Sequence, residues 1–250
     1  MWIFTKIWLT KKILNGLVFI VHDLGEHSGV PHYRPLISEL TEQGYSVFMI
    51  DLQGHGRSNG ERMYFEYFED LVDDYQQFMI LVFQDYPKET PFFMLGHGFG
   101  GHIALQLGLR IERGFKGVIL SSVPLRNLES FGEGYSSWLL ELGSLFPKLN
   151  YGYLYETSML MRNKESLQQA YTDPRYYTGP IKIRPFCEIL HNFDDIQENL
   201  NWIDWPILSL RGSSDPSLAP ENTRDFFNGK GSFPSTEDTP EHRYSIEIQN

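Results

Sequence analysis

The segment Gly96-His97-Gly98-Phe99-Gly100 has the spacing of a turn that presents a nucleophile between a strand and a helix. In the pattern G-x-S-x-G, the flanking glycines permit a sharp turn and the central serine attacks a carbonyl carbon. Both flanking glycines are present here, but the central residue is Gly98, which has no side chain. The pattern therefore predicts acyl-transfer chemistry at a position where the attacking hydroxyl is missing.

Three further polar segments follow predicted strands, at His22–Gly29, Asp51–Ser58 and Arg211–Asp215. Ligands of open parallel sheets bind beyond the carboxyl ends of the strands, so we expect these segments to lie close together there. Asp215 has two interpretations. It either orients a catalytic histidine or, because it precedes a proline, caps a helix.

Strands and helices alternate along most of the chain, which predicts an α/β fold with a doubly wound, mostly parallel sheet. The predicted strands are Trp2–Leu9, Gly16–His22, Tyr45–Leu52, Phe92–Leu95, Gly117–Ser121, Trp205–Arg211 and Arg243–Gln249. The predicted helices are His32–Gln43, Glu66–Tyr86, Phe99–Glu112 and Pro220–Asn228, and a surface loop is predicted at Gly229–Pro240.

The alternation breaks between about Pro124 and Asn201, where the chain is helical, loop-rich and aromatic. We expect residues 1–123 and 202–250 to form the core domain and residues 124–201 to form a helical cap over the carboxyl edge of the sheet. Within this cap, Tyr135–Phe146 is apolar on more than one face. It is either a core helix or a lid helix that contacts a membrane.

Composition excludes several classes of function. The formal net charge of -11 argues against a nucleic-acid partner, and the single cysteine, Cys187, excludes an internal disulfide and favours the cytoplasm. Lysines and an Asn-Gly turn interrupt Met1–Val21, so we interpret it as strands rather than a signal peptide. The histidines lack metal-ligand spacing and no glycine loop of the phosphate-binding type is present, so we expect no metal and no cofactor.

Several motifs together resemble the monoacylglycerol lipase and lysophospholipase group of the α/β-hydrolases, of the serine aminopeptidase S33 type. His22–Gly29 matches its His-Gly-x-Gly-Glu-His-Ser-Gly loop, with Asp23 in place of the first glycine. Gly54–Arg62 matches Gly-His-Gly-x-Ser-x-Gly-Glu-Arg, and Gly96–Gly101 matches Gly-His-Ser-Met-Gly-Gly except at its third and fourth positions. The resemblance implies an α/β-hydrolase fold and an acylglycerol-like or lysophospholipid-like substrate.

The resemblance also implies roles for individual residues. The backbone N–H groups of Leu24 and Phe99 correspond to the oxyanion hole, and Asp215 corresponds to the acid of the catalytic triad. Gly98 stands at the nucleophile position. These assignments leave the family's scaffold without its attacking group.

The triad histidine of this fold follows the acid and the last catalytic strand. His242 precedes that predicted strand, and His191 lies in the predicted cap before Asp215, so neither fits. We therefore expect the histidine to be absent from these 250 residues and to lie beyond Asn250 in a longer sequence.

Three functions remain open from the sequence. The chain is an impaired ester hydrolase that binds acylglycerol-like or lysophospholipid-like molecules, with peripheral membrane contact through the cap. Alternatively, it is a non-catalytic binding or regulatory protein. The third alternative is an active lipase represented by a faulty or truncated sequence.

Overall fold

The computed structural model describes residues 1–111, 114–125, 137–154, 156–199, 202–203, 205–213, 215 and 243–248. Seven of its strands form one sheet and two form a small separate sheet. The strands are β1 (Thr5–Trp8), β2 (Gly16–Val21), β3 (Tyr45–Ile50), β4 (Phe92–His97), β5 (Val118–Ser121), β6 (Asn150–Gly152), β7 (Ile181–Lys182), β8 (Ile207–Gly212) and β9 (Arg243–Ile248).

The large sheet has the order β1-β3-β2-β4-β5-β8-β9. Only β1 runs antiparallel to its neighbour, and the other pairs of this sheet are parallel. All six residues of β2 are buried, which explains its continuous apolar sequence, because a strand covered on both faces has no solvent side. The prediction of a mostly parallel, doubly wound sheet is confirmed.

The described helices are α1 (Tyr33–Glu42), α2 (Phe68–Phe83), α3 (Gly100–Arg110), α4 (Ser137–Leu145), α5 (Thr157–Leu160), α6 (Lys164–Thr172) and α7 (Ile183–Asn199). Helices pack on both faces of the large sheet. Leu17, Phe19 and Val21 of β2 pack into the cluster that contains α2, α3 and α7. Val18 and Ile20 pack with α1 on the other face. Alternate residues of one strand thus build the two halves of the core.

Several predicted boundaries move in the structure. Strand β4 continues past the predicted end at Leu95 to His97, since its pairing with β5 extends to His97 opposite Ser121. The segment predicted to be helical and loop-rich also contains the short strand pair β6 and β7. The predicted helix Pro220–Asn228 and loop Gly229–Pro240 lie outside the described residues.

The insertion between β5 and β8 contains α4 to α7. Ile189 and Phe193 of α7 are buried in the main cluster, and Leu139 of α4 joins them there. The far end of α4 is different, because Leu145 is 73% exposed and Phe146 is 60% exposed. Helix α4 therefore combines features of both interpretations of Tyr135–Phe146. Across the described ranges, no helix has the length and apolar character needed to cross a bilayer.

Candidate active site

A sharp turn joins β4 to α3 at the predicted nucleophile position. Gly98 has a φ of 52°, in the left-handed region, and its N–H donates to the Ser121 carbonyl at 3.0 Å. A Cβ on Gly96 would lie 2.3 Å from the Gly101 Cα, and one on Gly100 would lie 2.4 Å from the Val21 carbonyl oxygen. The flanking glycines are thus required by close backbone contacts, as the motif predicts.

The carboxylate of Asp23 fills the space above this turn. Its Oδ1 accepts hydrogen bonds from the backbone N–H groups of Leu24 and Phe99, both at 2.8 Å. A Cβ on Gly98 would lie 2.1 Å from Asp23 Cγ. One side chain therefore accepts from both N–H groups predicted for the oxyanion hole and also occupies the volume of a residue 98 side chain. The sequence marked Asp23 and Gly98 as separate departures from the family pattern, whereas the structure places them in contact.

Burial raises the pKa of the Asp23 carboxyl to about 6, because an ionised carboxylate loses its hydration there. The charge of His97 and the two N–H donors act in the opposite direction, while Glu26 adds to the rise. These donors stabilise the ionised form in a site that is otherwise unfavourable to a negative charge.

Two predicted segments after β2 and β3 are joined by buried hydrogen bonds. Asp51 accepts from the backbone N–H of Ser28 at 2.7 Å and from that of Arg57 at 2.8 Å. His22 Nδ1 donates to the Asp23 carbonyl at 2.7 Å, and its Nε2 accepts from the Leu52 N–H at 3.0 Å. These polar residues fix the loop that carries Asp23, so their role in the structure is support.

A cavity of about 330 Å³ opens beside Asp23. His97 and Asp215 line it as well, so Asp215 and the turn at Gly98 border the same space. Glu26, His32 and Ser122 of the core also line the cavity, and the insertion supplies the opposite wall, through Leu160, Met161, Arg162, Asn163, Ser166 and Tyr176. The structure therefore brings the predicted acid position to the predicted site, although its role as a triad acid stays a prediction.

A second pocket on the Leu24 and Phe99 side is much smaller, about 60 Å³. Its lining includes the apolar side chains of Met63, Leu154 and Leu160. Sites for drug-sized molecules usually measure about 300–1,000 Å³. This pocket lies well below that range.

Glu26, His32 and His97 form a cluster that the sequence did not predict. One possible ligand atom from each lies within 4.8 Å of the others. The expectation of no metal ligands rested on spacing along the chain, and these residues come from the loop after β2, the start of α1 and the end of β4. Spacing along the chain does not indicate this cluster, and the available signal is the shared place of the three residues at the carboxyl edge of the sheet.

His191 and His242 do not fit the position of the triad histidine in the sequence, and the structure describes only one of them. His191 is exposed on α7, and His242 lies outside the described residues. Strand β9 runs parallel to β8 with Arg243 beside Ile207, so its first residue lies at the edge of the sheet opposite the cavity. The absence of the triad histidine stays a prediction.

Comparison with known families decides the classification. Residues 13–237 match the family model Hydrolase_4, described as serine aminopeptidase, S33. The chain belongs to this family. As an S33-type α/β-hydrolase, it is 31% identical over 215 residues to rat monoglyceride lipase, and the match covers 86% of this chain and 70% of that protein. Human monoglyceride lipase is 32% identical over the same coverage. The chain is thus a monoacylglycerol lipase-like α/β-hydrolase.

Solved structures of this class share the fold. A monoacylglycerol lipase from Paleococcus ferrophilus superposes with a TM-score of 0.77 at 24% identity, covering 100% of this chain and 89% of that one. A soluble variant of monoglyceride lipase from Saccharomyces cerevisiae gives 0.79 at 17% identity, covering 99% and 81%. At these identities the likeness establishes the α/β-hydrolase fold of the S33-type chain.

Proposed function

We propose that this monoacylglycerol lipase-like protein binds an acylglycerol-like molecule without hydrolysing it. The observation that carries the proposal is the position of Asp23, which accepts from the N–H groups of Leu24 and Phe99 and fills the side-chain space above Gly98. Acyl transfer needs a nucleophile and a free pair of donors for the developing oxyanion. Gly98 supplies no nucleophile, and Asp23 already uses the donors.

The expected loss of activity is large. Removal of a nucleophilic serine alone lowers kcat by ~10⁶ in a serine protease. The residual ~10³–10⁴ of rate enhancement over water in such variants comes from the oxyanion hole and substrate binding. Since Asp23 already accepts from the two N–H groups of the predicted oxyanion hole, we expect even this residual activity to be reduced.

Asp23 fills the space that a side chain at position 98 would need. This fit favours a protein that naturally carries both Asp23 and Gly98, and it disfavours an active lipase whose residue 98 was recorded incorrectly. A serine at position 98 would place its Cβ 2.1 Å from Asp23 Cγ, so the two side chains do not fit together without a shift of the loop. An isolated reading error would leave position 23 adapted to serine.

The cavity lining indicates the part of the ligand that it binds. Asp23, Asp215, Arg162 and Asn163 line the cavity. Carboxylates are hydrogen-bond acceptors for hydroxyl groups, and the N–H groups of arginine and asparagine side chains are donors. A glyceryl head group offers such hydroxyls. The carboxylates disfavour a phosphate, so we favour acylglycerols over lysophospholipids. The small volume of the pocket beside Leu24 and Phe99 favours a short acyl chain.

We further propose that residues 124–201 act as the cap over this cavity, because Leu160 to Ser166 of the insertion form its wall. The exposed apolar side chains of Leu145, Phe146 and Leu149 support peripheral membrane contact at the end of α4. We infer a cytoplasmic location from the single buried Cys187, which suits a reducing compartment.

Fluorophosphonate labelling tests the loss of catalysis. We expect no covalent adduct on the purified protein, while human monoglyceride lipase labels in parallel.

Calorimetry with a short-chain glyceryl ether, which cannot be hydrolysed, tests binding. We expect saturable 1:1 binding that Arg162→Ala weakens and that Arg34→Ala, an exposed control on α1, leaves unchanged. Adduct formation at any serine, or turnover of a monoacylglycerol ester, contradicts the proposal.

A further inference from the structure

The cavity beside Asp23 contains three side chains that acylglycerol binding does not explain, Glu26, His32 and His97. We propose that they bind a divalent transition-metal ion, with zinc as the best match. The site goes beyond the proposed function, since neither a serine nor a lipid takes part in it.

Glu26 is 3% exposed, and its two oxygens have different surroundings. The Tyr33 hydroxyl donates to Oε2 at 2.5 Å, which fixes the carboxylate. Oε1 faces His32 Nε2 at 3.5 Å. One oxygen is thus held by the protein, and the other points to the second ligand.

His97 is oriented in the way that metal-binding histidines usually are. Its Nδ1–H donates to the Ser121 carbonyl at 3.1 Å, so in the neutral ring Nε2 carries the lone pair. Histidine ligands almost always donate their other N–H to a carbonyl or carboxylate, which fixes the tautomer and raises ligand basicity. The same backbone carbonyl also accepts from Gly98, so the anchor belongs to the turn itself.

His32 is the movable member of the cluster. Its ring packs against the Tyr33 ring, with centroids 4.2 Å apart, and meets the His97 ring edge-on at 5.7 Å. The side chain is 39% exposed, so it can adjust by rotation without disturbing the core. Rotation of His32 would bring its ligand atom closer to those of Glu26 and His97, so that all three could bind one ion.

The geometry and donor types favour zinc. Bonds of about 2.0–2.2 Å in a tetrahedral arrangement place neighbouring ligand atoms about 3.3–3.5 Å apart. The Glu26 and His32 atoms already have this separation at 3.5 Å, and the third atom lies within 4.8 Å. Two imidazoles and one carboxylate suit zinc or cobalt, and the fourth position faces the cavity.

Cobalt provides a direct spectroscopic probe of this site. We expect Co²⁺ added to the metal-free protein to give visible ligand-field bands that saturate at one ion per chain and disappear when Zn²⁺ displaces it. His32→Gln removes a half-exposed ligand and is expected to weaken Co²⁺ binding by at least about tenfold. His191→Gln, which changes an exposed histidine on α7, is the matched control and is expected to bind like the wild type.

A second variant tests the hydrogen bond that holds the buried ligand Glu26 in place. Tyr33→Phe keeps all three ligands and removes only the hydrogen bond to Glu26, and we expect it to weaken Co²⁺ binding by about tenfold with an unchanged circular dichroism spectrum. Absence of the bands, millimolar affinity, or equal binding by His32→Gln and the wild type overturns the proposal. Each of these outcomes is independent of the fluorophosphonate result, so the two proposals fail separately.

Discussion

At the residue scale, the decisive contact is between Asp23 and the empty side-chain position of Gly98. The two residues are far apart in the sequence, where they are two unconnected departures from the family pattern. In the structure they form one unit, in which the carboxylate replaces the missing side chain and takes the hydrogen bonds of Leu24 and Phe99.

We predict that Gly98→Ser lowers the free energy of unfolding by more than the backbone strain alone. A non-glycine residue at positive φ costs on the order of 1–3 kcal/mol, and the clash with Asp23 adds to it. Urea denaturation of the single variants and of Asp23→Gly/Gly98→Ser measures the coupling between the two sites. We expect the double variant to recover at least about 1 kcal/mol relative to additivity.

Gly114→Ser provides the control for strain without a clash, because Gly114 has a φ of 69° and a Cβ there would have no neighbour within 4 Å among the described residues. Equal destabilisation by Gly98→Ser and Gly114→Ser would show that Asp23 does not fill the site as described.

At the element scale, α3 is tied to the insertion through a buried histidine. His102 Nε2–H donates to the Pro124 carbonyl, and Nδ1 accepts from the Asn192 side-chain amide of α7. These partners fix the neutral tautomer. A proton on Nδ1 would face the amide N–H, and burial lowers the pKa of His102 to about 4.

The protein is therefore expected to lose stability as the pH falls through this window. The folded pKa of about 4 lies below the unfolded value of about 6.5, so the unfolded state takes up the proton first. We predict that His102→Gln reduces the loss in free energy of unfolding between pH 7 and pH 5 by about 2 kcal/mol. Urea denaturation at both pH values measures it. His191→Gln should keep the wild-type dependence, and an unchanged dependence in His102→Gln would refute the assignment.

The secondary-structure elements also show which features of the fold and the site can be predicted from the sequence. The apolar run of β2 and the glycine pattern after β4 predicted the sheet and the turn, because both depend on local spacing. The place of the Asp23 carboxylate and the meeting of Glu26, His32 and His97 depend on how separate loops pack, so no local pattern contains them. Helix α7 lies within the segment predicted as the cap, and its buried face joins the main core. The sequence lacked a signal for that contact because the strand-helix alternation is interrupted there.

At the scale of the whole molecule, the loop after β2 connects the sheet to the insertion. His27 Nε2 lies 3.0 Å from Asp173 Oδ2, and the Gly25 carbonyl accepts from the Tyr177 N–H at 2.8 Å. The loop that carries Asp23 is thus attached to the segment that covers the cavity, so movements of the two are expected to be coupled.

We predict that Asp173→Ala increases the rate of limited proteolysis within residues 124–201, because the insertion loses one of its attachments to the core. Proteolysis followed by mass spectrometry locates the cleavage sites. Asp85→Ala, which changes an exposed carboxylate after α2, should leave the rate unchanged. Equal rates for Asp173→Ala and the wild type would show that the backbone contact of Gly25 and Tyr177 is sufficient.

The contact between Asp23 and Gly98 also makes the effect of a mutation at one position depend on the residue at the other. A serine introduced first at position 98 meets the carboxylate at once. A glycine introduced first at position 23 only leaves two N–H groups for water to occupy. The two changes are therefore tolerated in one order, so a library of both positions selected for folded protein should contain serine at position 98 only together with a smaller residue at position 23.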